Sequence, residues 1–213
     1  MGKNDIKREG TMFIFSAPSG AGKSTIINRV VQDLGDVYVS VSATTRSPRE
    51  GEVEGKDYFF VSKEKFQQMI KENAFYEYVD SDFGPKYGTP KAKIDENLTN
   101  GTDVILDIDY PGVQMMKAIA ADKIKTIFIM PPSVEELRNR LVKRGTDSLE
   151  TIQKRMSMAE KRIAESKYYD YIVVNNDLDV AVNDVLKIIR DERAKKKNNC
   201  NIGQGLSTQN SGR

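Results

Sequence analysis

The segment at residues 17–24 constrains the fold of this chain more than any other part of it. It reads Ala-Pro-Ser-Gly-Ala-Gly-Lys-Ser and follows the phosphate-binding pattern G-x-x-x-x-G-K-S/T, except that Ala17 replaces the first glycine. An apolar run precedes it at residues 11–16, and an amphipathic stretch with helical spacing follows it at residues 26–31. A turn without a ligand is the alternative, but a buried strand before the segment and a helix after it favour a phosphate-binding loop.

The residue types of this loop suit the phosphates of ATP. Glycines permit positive φ and close approach of the backbone, so successive amides can bind phosphate oxygens at the positive end of the following helix. We assign Lys23 to the β- and γ-phosphates and the Ser24 hydroxyl to Mg²⁺. The predicted ATP-binding residues are the members of the loop: Ala17, Pro18, Ser19, Gly20, Ala21, Gly22, Lys23 and Ser24.

The absence of histidine limits the chemistry that the chain can perform. Its 213 residues include no histidine and one cysteine, Cys200, which excludes a Ser-His-Asp triad, imidazole metal sites and a disulfide framework. Catalysis must therefore use Lys, Arg, carboxylates, hydroxyls or backbone amides. Because the net charge is only +2 and no apolar run reaches transmembrane length, we expect no nucleic-acid partner, no membrane partner and a cytoplasmic location.

Apolar strands alternate with amphipathic helical patterns along most of the chain. Strands are predicted at residues 11–16, 38–42, 57–61, 104–106, 126–130 and 171–174. Helices are predicted from the phosphate loop, after the capping residue Ser62, from Pro90, after capping boxes at Ser133 and Asp147, and over residues 178–189. This alternation predicts an α/β fold with a parallel sheet covered by helices on both faces.

Three parts of the chain depart from this alternation. Residues 40–90 contain short strands and one helix, which predicts a lobe inserted into a core made of residues 11–39 and 91–193. The polar ends, residues 1–10 and 194–213, are predicted to be disordered.

Two carboxylates follow a second apolar strand. Asp107 ends that strand, and Asp109 lies two residues further on, which places both side chains on one face if the strand continues. Carboxylates at a strand end often belong to a turn. Beside a phosphate loop, however, we favour a site for a metal ion or a substrate.

Several further segments resemble the guanylate kinase family, whose members transfer the γ-phosphoryl group of ATP to GMP. The resemblance covers residues 11–193. It rests on motifs in matching order and at matching intervals: the loop with Ser24 and Thr25, then residues 41–49, 51–58, 87–89, 106–109, 144–146 and 174–175. It implies a parallel-sheet kinase core with an inserted GMP-binding lobe, with ATP and GMP (or dGMP) as substrates. It also adds Thr25 to the ATP-binding residues.

The resemblance assigns four residues to the phosphate of GMP. Arg46 and Arg49 are separated by a stiffening proline and suit a dianion through bidentate hydrogen bonds. Tyr58 and Tyr87 would add hydroxyl donors. The family commonly has a second tyrosine before Tyr87, where this chain has Lys86.

The resemblance assigns a second group of residues to guanine. One carboxylate can accept hydrogen bonds from both N1–H and N2–H of the base, and the resemblance places Glu77 there. Ser42 and Thr89 would complete recognition of the base, and Asp107 and Asp109 would lie beside the substrates. Surface or core positions without a ligand are the alternative for these side chains.

Three arginines are candidates for a mobile lid at residues 140–157. Arg140 and Arg144 lie four apart on one helix face, and Arg155 follows beyond a charged break. The resemblance implies that such arginines close over the transferring phosphoryl group, while an ordinary charged helix surface is the alternative. It also implies that Asn175 contacts adenine.

Two other functions stay open at this point. One is a related kinase acting on another small phosphate ester, such as a pentose bisphosphate or a different nucleoside monophosphate. The other is a non-catalytic interaction module of the same fold. Glu77 argues against the first through guanine recognition, and the intact Lys23 and Ser24 argue against the second.

Overall fold

The computed structural model of the chain describes residues 8–80, 84–143 and 148–205. Its strands are β1 (Met12–Ser16), β2 (Val37–Val39), β3 (Ala43–Thr44), β4 (Phe59–Phe60), β5 (Phe75–Val79), β6 (Tyr87–Pro90), β7 (Asp103–Asp107), β8 (Ile124–Met130) and β9 (Tyr171–Val174). Its helices are α1 (Lys23–Leu34), α2 (Lys63–Lys71), α3 (Ala92–Thr99), α4 (Tyr110–Ala120), α5 (Val134–Lys143), α6 (Leu149–Glu165) and α7 (Leu178–Gly205). In these described ranges, no helix is both long enough and apolar enough to cross a membrane.

Five parallel strands form the central sheet in the order β2-β7-β1-β8-β9. Strand β1 lies in the middle, and Met12, Phe13, Ile14 and Phe15 are fully buried because helices cover both faces of the sheet. Phe13 and Phe15 pack with α1 and α7, while Met12 and Ile14 pack with α3 and α4 on the opposite face. The predicted α/β fold with a parallel central sheet is confirmed.

A second sheet of four strands has the order β4-β3-β6-β5 and lies between β2 and α3 in the chain. Strand β6 pairs antiparallel with both β3 and β5, and β4 adds to β3 in parallel. Helix α2 buries Phe66 against this sheet, with its ring centroid 4.8 Å from that of Phe75. The hydroxyl of Ser62 accepts a hydrogen bond from the Lys65 amide at 3.1 Å, which confirms the predicted helix cap.

The helix predicted from Pro90 begins later than expected. Pro90 is the last residue of β6, and α3 begins at Ala92. Pro90 pairs with Phe75, and the Lys91 amide donates to the carbonyl of Ala74 at 2.9 Å, so the sheet holds this proline in extended backbone. A strand end tolerates proline because no ladder hydrogen bond from its nitrogen is required there.

Other elements differ from the prediction in their number or their bounds. The strand expected at residues 38–42 is the shorter β2, Val37–Val39, in the central sheet, and the next strand, β3, begins only at Ala43 and belongs to the second sheet. Strand β5 and helix α4 are not predicted from the sequence, although Asp109 as the cap of α4 and Pro111 in its first turn are typical signals of a helix start. Helix α6 begins at Leu149 after the capping residue Ser148. Two predicted residues, Arg144 and Asp147, lie outside the described ranges.

Regular structure and core contacts extend into both polar ends of the chain. The Gly10 amide donates to the carbonyl of Leu98 at 2.8 Å, within the segment expected to be disordered. Helix α7 continues to Gly205, and the strong helix formers Ala and Lys favour this continuation as far as Lys197. Lys196 on this helix donates to the Gly10 carbonyl at 2.8 Å, which joins the two ends. Residues 8–10 therefore contact the core, and residues 194–205 belong to α7, while disorder of the ends in solution stays a prediction.

A buried carboxylate joins both ends of the chain to the central sheet. Asp103 begins β7 with a side chain that is 0% exposed, and it accepts hydrogen bonds from Arg8 at 2.7 and 2.8 Å, from Arg193 at 2.6 Å and from the Thr11 amide at 2.8 Å. Burial alone would raise the pKa of Asp103, but these hydrogen bonds outweigh it and hold the pKa below its usual value. The ionised carboxylate therefore stabilises the fold.

We expect Asp103→Asn to lower the free energy of unfolding by about 3 kcal/mol at pH 7, because it leaves two partly buried guanidinium groups without their anion. Since folding lowers the pKa of Asp103, its contribution is present above the unfolded value of about 3.9 and is lost as the pH falls through the lower folded value. Urea unfolding at pH 7 and at a series of acid pH values measures both effects.

The matched control is Asp179→Asn, which removes a carboxylate that is 74% exposed and pairs with Arg29 at 3.2 Å. We expect a change within about 0.5 kcal/mol for this surface pair. An equal effect of the two substitutions would contradict the structural role of Asp103.

Candidate active site

The phosphate loop connects β1 to α1 at the carboxyl edge of the central sheet. Gly20 and Gly22 have φ values of +93° and +92°, in the left-handed region that favours glycine. Gly22 is also the residue before α1, so the loop amides lie at the positive end of that helix. This backbone can bind the phosphates of a nucleotide, as the residue pattern predicts.

Asn175 lies against the inner side of this loop. Its side-chain nitrogen donates to the Ala21 carbonyl at 2.7 Å, and the residue is only 6% exposed. A Cβ atom on Gly22 would lie 2.3 Å from the same nitrogen, so the close approach requires glycine there. The structure thus brings Asn175 to the loop, where it supports the backbone, and its contact with adenine stays a prediction.

A first cleft, of about 490 Å³, opens over the phosphate loop. Its lining includes every predicted ATP-binding residue of the loop, namely Ala17, Pro18, Ser19, Gly20, Ala21, Gly22, Lys23, Ser24 and Thr25. Helix α6 forms the opposite side, and Arg155 on this helix reaches the Ser19 hydroxyl at 3.5 Å. The predicted lid arginine Arg155 therefore lies beside the loop.

A second cleft, of about 720 Å³, lies between the central sheet and the second sheet. The predicted acceptor residues that line it are Ser42, Tyr58, Glu77, Tyr87, Asp107 and Asp109. Lys23 and Ser24 line this cleft as well as the first one, so the two clefts meet at the start of α1. A phosphoryl group held over the loop can therefore be transferred directly to a molecule bound in the second cleft.

Lys23 is paired with Asp107 where the clefts meet. The amine donates to the carboxylate of Asp107, which lies at the end of β7 opposite Phe15 of β1. The side chain of Asp107 is 49% exposed. Because the partner is open to solvent, phosphate oxygens can compete with it for the lysine.

Glu77 is the buried carboxylate of the second cleft. It lies on β5 with 7% exposure, and the hydroxyl of Thr89 donates to it at 2.6 Å. Burial raises the pKa of Glu77, the bond from Thr89 opposes this rise, and the charge of Asp109 adds to it. A Cβ atom on Gly112 would lie 2.9 Å from a Glu77 oxygen, so this glycine lets α4 approach the carboxylate. Thr89 itself is buried behind Glu77 and fixes its position.

Arg46 is held by a carboxylate to which the sequence assigns no role. Glu52 accepts two hydrogen bonds from the Arg46 guanidinium, both of 2.6 Å, and a third from the Arg49 amide at 2.8 Å. The bond from Arg46 is the main reason that the pKa of Glu52 falls to about 2. The guanidinium also lies 4.9 Å from the centre of the Tyr58 ring, which brings it to the edge of the second cleft.

The remaining predicted arginines occupy different places. The Arg49 side chain is exposed. Arg140 donates to Glu136 at 2.9 Å and to the Asn175 carbonyl at 3.2 Å, so it lies behind the loop with Asn175.

Two cationic residues of the described ranges line the clefts but are not among the predicted site residues: Lys56, in the second cleft, and Arg162. Arg162 lines both clefts and donates to Asp109 at 2.8 Å. Arg162 follows Arg155 by seven positions, which is two helical turns, so both lie on one helix face. This spacing is the sequence signal that could have identified Arg162.

Comparison with known proteins agrees with this arrangement. The family model described as guanylate kinase matches residues 9–192. The guanylate kinase of Novosphingobium aromaticivorans is 47% identical over 90% of this chain and 86% of its own length, and that of Shewanella violacea is 50% identical over 86% and 88%. The crystal structure of guanylate kinase from Anaplasma phagocytophilum has a TM-score of 0.70 at 34% identity and covers 87% of each chain. The chain therefore belongs to the guanylate kinase family.

Proposed function

We propose that this protein transfers the γ-phosphoryl group of ATP to GMP and produces ADP and GDP. The observation that carries the proposal is the meeting of two clefts at Lys23, one over a phosphate loop and the other around the buried carboxylate of Glu77. Membership of the guanylate kinase family supports the same reaction. The cytoplasm, which supplies both nucleotides, is the proposed location.

The reaction requires alignment and positive charge but no strong base. A phosphate oxygen of GMP forms a bond to the γ-phosphorus, the bond from that phosphorus to the bridging oxygen breaks, and the bridging oxygen leaves with ADP. The attacking oxygen is already an anion, so no proton has to be removed from it. A chain without histidine can therefore perform this transfer through positioning and electrostatic stabilisation.

The donor side consists of the loop amides, Lys23 and Ser24. The amides hold the phosphates of ATP, and Lys23 exchanges its bond with Asp107 for the β- and γ-phosphate oxygens. The hydroxyl of Ser24 and the carboxylates of Asp107 and Asp109 are oxygen donors of the kind that Mg²⁺ prefers, so this side of the site fits the ion. When bound with ATP, Mg²⁺ neutralises part of the phosphate charge.

The acceptor side consists of a phosphate site and a base site. Arg46 and Arg49 bind the GMP phosphate, with Arg46 turning from Glu52 to that phosphate and the Tyr58 and Tyr87 hydroxyls donating to it. Both tyrosines line the second cleft beside Arg46.

Glu77 and Ser42 form the base site in this proposal. Glu77 accepts from N1–H and N2–H of guanine, and the hydrogen bond from Thr89 keeps the carboxylate in the orientation that this pairing needs. Ser42 lines the same cleft and adds a hydroxyl. A buried carboxylate discriminates against adenine, whose N1 is an acceptor that would leave it without a donor partner.

Residues 140–157 act as a lid in this proposal. Arg155 brings positive charge over the phosphates when the lid closes, as the family resemblance also implies for Arg140 and Arg144, and closure excludes water from the reaction. The contact between Arg155 and Ser19 supports a position of α6 above the loop.

We expect Lys23→Ala to lower kcat by about 100- to 1000-fold, because it removes the amine that lies between the phosphate loop and the second cleft. A coupled assay of ADP formation measures turnover with GMP, dGMP, AMP, UMP and dTMP as acceptors. Lys93→Ala removes a lysine whose side chain is 66% exposed and should leave turnover unchanged. Near-normal turnover in folded Lys23→Ala protein, or a preference of the unaltered enzyme for AMP, would contradict the proposed reaction.

We expect Glu77→Gln to raise KM for GMP by about 100-fold and to leave KM for ATP within about twofold, because the amide cannot accept both guanine donors. Since burial raises the pKa of Glu77, GMP binding by the unaltered enzyme should weaken as the pH falls through that raised value, and Glu77→Gln should lack this acid limb. Initial rates over a pH series measure it. Glu72→Gln, at an exposed position, is the control, and equal loss of ATP and GMP binding in Glu77→Gln would identify a structural role.

A further inference from the structure

Among the residues that the structure describes, four line both clefts: Lys23, Ser24, Asp109 and Arg162. Three of them have roles in the proposed reaction, and Arg162 has none. The phosphoryl group must cross from one cleft to the other, so negative charge is greatest where the clefts meet. A guanidinium at this junction lies where it stabilises the transfer most.

Helix α6 presents one continuous face to the phosphate loop. Arg155, Met158, Ala159 and Arg162 follow one another at helical spacing on this face and line the first cleft. Arg155 contacts Ser19 of the loop, and Arg162 lies two turns further along, at the junction with the second cleft. The helix therefore delivers two guanidinium groups along the path of the phosphoryl group.

The contacts of Arg162 hold its guanidinium in place, but one of its carboxylate partners can be replaced by a phosphate. One terminal nitrogen donates to Asp109 at 2.8 Å, and the other lies 3.5 Å from Glu165, three residues along the same helix. The Arg162 side chain is 19% exposed, whereas that of Asp109 is 66% exposed. Because an ion pair with so exposed a carboxylate is weak, a phosphate oxygen can replace Asp109 while Glu165 still orients the arginine.

We propose that Arg162 is a catalytic residue of this enzyme, whose guanidinium contacts the oxygens of the phosphoryl group during transfer. This inference rests on the proposed function and adds a residue to it. The phosphorus–oxygen bond to ADP breaks and the bond to GMP forms, while Arg162 keeps its proton throughout and contributes charge and hydrogen bonds.

The first experiment compares Arg162→Gln and Arg162→Lys in steady-state assays with ATP and GMP. We expect Arg162→Gln to lower kcat by about 100-fold with both KM values within about threefold. Arg162→Lys should lose about tenfold, because an ammonium keeps the charge but not the planar pair of donors. Lys161→Gln removes an exposed cation from the same helix and should leave kcat and KM unchanged. Thermal unfolding should give equal Tm values for all four proteins.

A double-mutant cycle with Asp109→Asn separates direct contact from an action through Asp109. If the guanidinium contacts the phosphoryl group, adding Arg162→Gln to Asp109→Asn still lowers kcat by about 100-fold. No further loss in the double variant, or a kcat of Arg162→Gln within threefold of the unaltered enzyme, would overturn the catalytic role. An unaltered enzyme that forms no ADP with GMP would instead overturn the proposed function, so the two failures are distinct.

Discussion

Strand β1 in the middle of the central sheet is the element on which the rest of the site depends. Its neighbours β7 and β8 run parallel to it, so the carboxyl ends of all three lie at one edge. The phosphate loop leaves β1 at this edge, and Asp107 ends β7 beside it. Ligands bind at this edge of open parallel sheets, because helix N-termini point their amides outward there. The order of the strands thus determines where the proposed ATP site lies, and the side chains at this edge determine which groups it can bind.

The acceptor site depends on a second constraint, the antiparallel pairing of β5 with β6. This pairing sets Glu77 and Thr89 side by side, so that a buried carboxylate receives the hydrogen bond that keeps it in place. Helix α4 of the central core packs against the same carboxylate, because Gly112 at the start of this helix has no side chain that would collide with it. In the proposed function, recognition of guanine therefore needs both sheets, whereas binding of the ATP phosphates needs only the central sheet.

The sequence predicts those parts of the fold and site that depend on local pattern. The loop between β1 and α1 and the cap at Ser62 are examples, because strand, turn and helix signals lie within a few residues of each other. Asn175 and Ala21 are 154 residues apart, and no local pattern shows that the amide of one supports the carbonyl of the other. The sequence predicts too short a helix α7 for a related reason, since contacts such as that of Lys196 with Gly10 depend on tertiary structure.

Charge balance connects the two clefts. The cations around the junction face carboxylates of the same chain: Lys23 with Asp107, Arg46 with Glu52 and Arg162 with Asp109. These pairs let the fold hold several positive charges close together without strong mutual repulsion. Substrate phosphates compete for the same cations, and in the proposed reaction each exchange releases a carboxylate. Asp107 and Asp109 then become available as oxygen donors beside Ser24, so phosphate binding prepares the side of the site that suits Mg²⁺.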